Sequence, residues 1–246
     1  MDEPDALLLD LDGTLIDWVE ALEAGVAAGA ARIAEAHGLD AAEITAATLA
    51  FEAEVYELHA TGWLLGGVGT GELYGALWRR ALEVYGLDEP AAGELAEAQW
   101  AAELAAFRAY DDVAGLIERA AGRGIRLALV TNGPSVVQRA KLEATGLADA
   151  FDAVVISAEA GVAKPEPRIF RTALDALGVA PGRAWHVGDS LEYDVAGAQA
   201  AGVRGVWLNR HGWEHGRHQP EPGLEIRSFD ELLALCDSGN SAETAP

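Results

Sequence analysis

The sequence predicts an α/β fold: a doubly wound parallel sheet with an inserted α-helical domain. Three observations lead there. An apolar run of strand length, Leu7-Leu8-Leu9, ends in Asp10 and Asp12 and then Gly13. From Asp111 onward, short apolar strands alternate with amphipathic helices, the pattern of a parallel sheet covered on both faces. Between these two regions, Asp17 to Arg108 is rich in Ala, Glu and Leu, with apolar residues at helical spacing and no strand signal.

The inserted stretch reads as roughly four helices, broken at Gly38-Leu39-Asp40, Thr61-Gly62, Gly66-Gly67 and Gly86-Leu87-Asp88-Glu89-Pro90. Its aromatic residues, Tyr56, Trp63, Tyr74, Trp78, Trp100 and Phe107, are assigned to its own core. The glycines between Gly66 and Gly71 lack dinucleotide-binding spacing and follow no strand, so they read as a flexible connection. Beyond the insertion come a helix at Val113–Arg123, a strand at Ile125–Val130 running into Thr131-Asn132-Gly133, and a helix at Ser135–Thr145. A strand at Ala153–Ser157, Lys164-Pro165 opening a helix at Arg168–Leu177, and a strand at Ala184–Gly188 follow. A helix from about Asp194 to Ala201, a strand at Gly205–Leu208 and a short helix at Phe229–Leu235 complete the series.

The first strand must join this sheet. The expected domains are therefore a core of residues 1–16 and 109–236 and a helical domain of residues 17–108, with 237–246 a disordered tail. Residues 209–223 read as a polar loop, and His211, His215 and His218 within it as solvent-exposed side chains rather than metal ligands.

Composition narrows the possible partners. The 246 residues carry a formal net charge of −23, which opposes nonspecific binding to nucleic acid or anionic membranes. No apolar run is long enough to span a membrane, the first residues are acidic where a secretory leader is basic, and Cys236 has no second cysteine to pair with. Together these predict a cytoplasmic protein without a nucleic-acid or membrane partner; they do not choose between monomer and homodimer. Lysine occurs only at positions 141 and 164. An anionic substrate would need a local positive site in so acidic a chain, which points to a metal cation together with a lysine.

The strand ends carry the chemistry. Residues two apart on an extended chain point the same way, so Asp10 and Asp12 address one crevice at the carboxyl edge, where open α/β sheets bind ligands. Thr131 and Asn132 follow the second strand, Lys164 lies past the third, and Asp189 and Asp194 follow the fourth. Taken singly, each has a bland reading as a turn, a helix cap or a surface residue. Jointly they place polar groups along one edge of one sheet.

In these segments, Asp10-Leu11-Asp12-Gly13-Thr14-Leu15, Thr131-Asn132-Gly133, Lys164-Pro165 and Gly188-Asp189-Ser190-Leu191-Glu192-Tyr193-Asp194, the chain resembles the haloacid dehalogenase superfamily over nearly its whole length. The resemblance implies a Rossmann-like core, an α-helical cap of the first type at 17–108, and a Mg²⁺-dependent phosphatase acting on a small phosphorylated metabolite. It implies Asp10 as the nucleophile that forms an aspartyl-phosphate, and Asp12 as the acid and base serving the leaving alcohol and the water. Metal ligation falls to Asp10, Asp189 and the backbone carbonyl of Asp12, and phosphate binding to Thr131, the Asn132 N–H and Lys164. Asp194 is expected to orient Lys164 or metal-bound water. Trp207-Leu208-Asn209-Arg210 resembles a segment common in capped phosphatases and dehalogenases and reads as strand and edge packing, with Arg210 only a weak candidate for substrate contact.

The nearest alternative is a phosphomutase resembling β-phosphoglucomutase, followed by a 2-haloacid dehalogenase and a noncatalytic binding protein. Dehalogenases of this family typically lack the second aspartate, because a halide leaves without a proton. The intact set of Asp10, Asp12, Lys164 and Asp189 argues against loss of catalysis.

Overall fold

In the computed structural model, which describes residues 3–87 and 91–240, a six-stranded parallel sheet has the order β3-β2-β1-β4-β5-β6. The strands are β1 (Ala6–Leu9), β2 (Arg126–Thr131), β3 (Ala153–Ile156), β4 (Ala184–Gly188), β5 (Arg204–Leu208) and β6 (Leu224–Ile226). β1 is central, pairing Leu9 with Leu129 on one side and with Val187 on the other. All four of its residues are buried, as a strand sandwiched between two helical layers requires. From β1 the chain builds outward to β2 and β3, then crosses back to add β4, β5 and β6. The winding direction reverses between β1 and β4, and the crevice at such a reversal is where these folds place ligands.

Two compact units make up the chain. One combines the segments up to Ile16, Ala109–Asn132, and from Leu147 onward; the other combines Asp17–Arg108 with Gly133–Gly146. In the first unit, α8 (Ser157–Ala160) follows β3 directly, and α9 (Pro167–Leu177) buries Ile169, Phe170, Ala173, Leu174 and Leu177 on one stripe. These pack with Ala6, Leu8, Ala128 and Val130 of the sheet, together with Ala198 of α10 (Gly197–Ala200). Leu7 points the other way, toward Leu116 and Ala120 of α6 (Val113–Arg123) and Leu232 of α11 (Phe229–Asn240). Helices thus cover both faces.

The sequence pattern misses the sixth strand. Leu224-Glu225-Ile226 is too short to show alternation and lies beside prolines, yet Leu208 pairs with Ile226 in parallel register. α11 also runs five residues past its expected end at Leu235. Asp237, on its last turns, forms ion pairs with Arg119 and Arg123 of α6, which fixes residues expected to begin a tail. Residues 241–246 of that expected tail lie outside the described residues.

Among the described residues, the second unit holds five helices before Arg108, where the breaks predict about four: α1 (Trp18–His37), α2 (Ala41–Ala50), α3 (Glu52–Leu64), α4 (Thr70–Tyr85) and α5 (Ala92–Ala106). Asp17 and Asp40 cap α1 and α2, each side chain accepting two backbone N–H bonds. The break between α2 and α3 falls at Phe51, whose N–H turns back to the Thr48 carbonyl at 3.1 Å, and no glycine or proline marks it. The expected break at Thr61-Gly62 is absent; α3 continues through it, with Val68 packed where a Gly62 side chain would be. The expected break at 86–90 begins where α4 ends, with Gly86 in the left-handed region at φ 64°; residues 88–90 lie outside the described residues. Trp78 is fully buried against Gly29 and donates to Gln99 Oε1 at 2.8 Å, a core role. α7 (Ser135–Ala144) completes this unit.

Arg210 is an anchor inside the first unit. Its guanidinium makes a two-pronged pair with Asp112 (3.0 and 2.9 Å), donates to the Thr14 carbonyl at 3.0 Å and lies 4.0 Å from the Tyr110 ring center. With both terminal nitrogens so engaged, it ties down the loop after β1. Asp112 also accepts the Phe229 N–H at 2.8 Å. Replacing Arg210 with Met leaves a largely buried carboxylate without its cation, and urea denaturation is expected to show a loss of about 3 kcal/mol. An unchanged midpoint would rule out this anchoring role.

Candidate active site

The loop after β1 is built around one carbonyl. Leu11 accepts from the N–H groups of Thr14, Leu15 and Ile16 (3.3, 2.9 and 3.0 Å), which folds the chain tightly back on itself. Gly13 permits this turn with φ +78°, and a Cβ there would come within 2.5 Å of Asp189 Oδ2. Both the turn and the close approach therefore demand glycine. Asp10 is buried, its N–H held by the Val187 carbonyl at 3.0 Å and its Oδ2 approached by Thr14 Oγ1 at 3.4 Å. Asp12 stands partly exposed two residues on, bridged through its backbone to Ile16.

At the end of β2, Thr131 is buried beside Asn132. The Asn132 side chain grips the main chain of Lys164 on both sides: Oδ1 accepts the Lys164 N–H at 2.8 Å, and Nδ2 donates to its carbonyl at 3.1 Å. This clamp is a role the sequence reading, which considered only the Asn132 N–H, does not contain. Lys164 precedes a cis peptide to Pro165. Its Nζ donates to Asp10 Oδ1 and, at 2.6 Å, to Asp194 Oδ1.

After β4 the chain makes a π-helical turn, Leu191–Ala196, started by Ser190, whose Oγ caps the Tyr193 N–H. Such turns are uncommon and often mark functional sites. Here the turn swings Asp194 back over Gly188, where a Cβ would lie 2.2 Å from Asp194 Cγ. Asp194 Oδ2 accepts the Ser190 N–H at 3.1 Å, and Oδ1 also meets His186 Nε2 at 2.8 Å. The Asp189 carbonyl is fixed by Trp207 Nε1 at 2.9 Å. The sequence reading contains no role for His186, Thr14 or Gly188. A histidine inside an otherwise apolar strand is the available signal for the first.

Asp10, Asp189 and Asp194 each bring a carboxylate oxygen within 4.8 Å of the others, the one such group of metal-capable side chains among the described residues. His211, His215 and His218 form no comparable group. His211 stacks on Trp213 at 5.2 Å, and His215 meets the Pro220 carbonyl at 3.1 Å.

Three carboxylates and one ammonium share this buried edge, and their titration reflects the imbalance. Burial pushes Asp10 well above the usual carboxylate range; the charges of Asp194 and Asp189 add to this, and Lys164 opposes it. Burial, aided by Asp194, raises Asp189 to about 7. Asp194 lies well below the usual range, because Lys164 and His186 outweigh the effect of burial. Burial works against the charge on Lys164, yet Asp10 and Asp194 hold it above the usual lysine range. Burial lowers His186, against the opposing pull of its bond to Asp194. An all-oxygen, acid-rich cluster of this kind has the chemistry to hold a hard divalent cation.

The profile of haloacid dehalogenase-like hydrolases matches residues 4–202, and the chain belongs to that family. It is 43% identical to phosphoserine phosphatase of Thermus thermophilus over 157 residues, 64% of this chain and 62% of that protein. It thus spans about three fifths of that relative's length. It is 34% identical to ribulose-1,5-bisphosphate 5-phosphatase of Halopiger xanaduensis over 205 residues, 82% of this chain and 83% of that protein. Among solved structures, the HAD phosphatase from Thermococcus onnurineus superposes with a TM-score of 0.62 at 30% identity, covering 94% of this chain and 96% of that one. Among the described residues, no helix is long and apolar enough to cross a membrane.

The raised Asp189 has a consequence for stability. The fold holds a proton there up to about pH 7, whereas the unfolded chain loses it near about pH 4. The metal-free protein therefore loses stability as pH climbs through that window and levels off above it. Asp189→Asn removes this loss. In EDTA at alkaline pH it is expected to be more stable than wild type by on the order of 2 kcal/mol, with the gap closing toward acid pH. Denaturant titrations in which the gap instead widens toward acid pH would overturn the assignment.

Proposed function

We propose that this protein is a Mg²⁺-dependent phosphatase that hydrolyses a small phosphorylated metabolite. The observation that carries the reading is the Asp10 carboxylate at the reversal of the sheet, paired with a buried lysine and flanked by Asp189. The phosphatase relatives support it, since their names describe monoesters of small molecules. The lone cysteine and acidic composition fit a cytoplasmic enzyme.

Asp10 and Asp189, with the main-chain carbonyl of Asp12, are the groups that would hold the cation. Bound there, Mg²⁺ would neutralise charge that otherwise keeps a carboxylate from approaching a phosphate dianion. The chain's residues supply the rest. Asp10 attacks phosphorus, and the bond to the leaving alcohol breaks as Asp12 delivers a proton to its oxygen. Asp12 then takes a proton from the water that hydrolyses the aspartyl-phosphate, which returns Asp10 as a carboxylate and releases phosphate. Thr131, the Asn132 N–H and Lys164 contact the transferring oxygens, where a fixed ammonium stabilises developing charge. We assign residues 17–108 the part of a cap domain that chooses the leaving group.

The test is phosphate release from a panel of phosphoserine, phosphoglycolate, sugar phosphates and nucleoside monophosphates. Release is expected with Mg²⁺ and lost in EDTA, and Asp10→Asn should lower it by at least about 10³-fold. Asp12→Ala should slow alkyl phosphates by about 10² to 10⁴-fold but p-nitrophenyl phosphate much less, because nitrophenolate leaves without a proton. Turnover that survives both EDTA and Asp10→Asn would refute the mechanism. Phosphoryl transfer to a second sugar hydroxyl in place of water would identify a mutase instead.

A further inference from the structure

On the face of the sheet that packs against α9, side chains stand in rows. Ala184, His186 and Gly188 form the row on β4, because alternate residues of a strand share a face. Leu8 on β1 is level with His186, and Asp10 lies one step further along. Gly188 leaves a gap in its row, and the Asp194 carboxylate fills it. Asp194 therefore rests directly on His186, which is fully buried and held edge-on by Phe170, with ring centers 4.9 Å apart at 83°. Phe170 follows Pro165 into α9, and Gly197 lets both come close, since a Cβ there would meet Phe170 and the Pro165 backbone at 2.7 to 2.9 Å.

We propose that His186 is a positioning residue for the phosphatase reaction: its Nε2–H fixes the Asp194 carboxylate, which in turn holds the Lys164 ammonium on Asp10. The tautomer follows from chemistry. Asp194 Oδ1 accepts from Lys164 at 2.6 Å and faces His186 Nε2 at 2.8 Å. An ionised carboxylate only accepts, so Nε2 must carry the hydrogen. Ser190 N–H occupies the other oxygen at 3.1 Å. Three donors from three directions leave this carboxylate one orientation, and the direction of the lysine follows from it. Without the imidazole, the shared oxygen loses one of its two donors in a dry interior and the carboxylate is free to rotate. Lys164 would then be displaced from the line to Asp10.

This inference rests on the phosphatase reading for its kinetic consequence, though not for its geometry. His186→Leu keeps bulk against Phe170 and removes the donor, whereas His186→Gln can return an amide N–H near the same place. His186→Leu is expected to lower kcat by at least about tenfold while KM stays within about threefold, and His186→Gln to recover most of the loss. A second readout needs no substrate. The chain has only two lysines, so trace acetylation followed by mass spectrometry gives Lys164 reactivity relative to Lys141. That ratio is expected to rise several-fold in His186→Leu and to return toward wild type in His186→Gln. In histidine-labelled wild type, the imidazole ¹⁵N spectrum should show the hydrogen on Nε2 of His186, a reading that does not require any variant to fold. Wild-type kcat and Lys164 reactivity in His186→Leu, no recovery in His186→Gln, or a hydrogen on Nδ1 alone would each overturn the proposal. If the wild type releases phosphate from nothing, the phosphatase reading fails, and the acetylation ratio still decides the role of His186.

Discussion

One buried ammonium, that of Lys164, sets the terms for the sheet edge. Lys164 is 4% exposed and lies between two carboxylates in a chain that carries 40 acidic residues against 17 basic ones. An unpaired charge there would be intolerable, and so would a loosely paired one, since attraction in a poorly solvated interior repays desolvation only when geometry is tight. Many local features follow from that demand. Asn132 fixes the lysine's main chain on both sides, Gly197 lets the segment after it press against α10, and Gly188 vacates the space that its partner Asp194 enters. Each is a residue without bulk, or with a short amide, at a point where a larger side chain would move the lysine.

The sheet makes this arrangement possible. β1 is central and has neighbours on both sides, so its carboxyl end is flanked at one level by the ends of β2 and β4. The chain order reverses there, which leaves the edge open rather than crossed by a connection. The loops after β1 and β4 can then meet, and they do so at contact distance through Gly13 and Asp189. Arg210, far along the chain, secures the first of these loops from the side.

Much of this was legible in the sequence. Strands bounded by chemistry-bearing residues gave the sheet and the positions of Asp10, Lys164, Asp189 and Asp194, because apolar runs that end in polar groups are read residue by residue. The misses have physical reasons. The break at Phe51 depends on packing, not on a breaker residue, and Gly62 is tolerated because Val68 fills its side. β6 exists through its partner β5 and has too few residues to show a pattern of its own. The end of α11 is set by ion pairs with residues more than a hundred positions away. Arg210 looks like a free cation until Asp112 is placed beside it. His186 and the Asn132 side chain share a different difficulty: their roles lie in what they hold still, and only three-dimensional neighbours reveal that.

The electrostatics also explain why such a site is a local liability. Asp10, Asp189 and Asp194 face one Lys164, which leaves two charges unbalanced if all ionise. The group resolves the conflict unevenly. Asp194, with three donors, keeps its charge; Asp10 and Asp189 are driven toward protonation. Asp10 and Asp189 accept from fewer donors than Asp194 does, and under the proposed function they are the pair that would hold a divalent cation. The division of labour thus follows from where the donors are. The carboxylate with three donors aligns the lysine, while the two with fewer are the ones that would meet metal and phosphorus in the proposed reaction. A fold that gave all three the same set of donors would be more stable and would leave that chemistry no carboxylate to use.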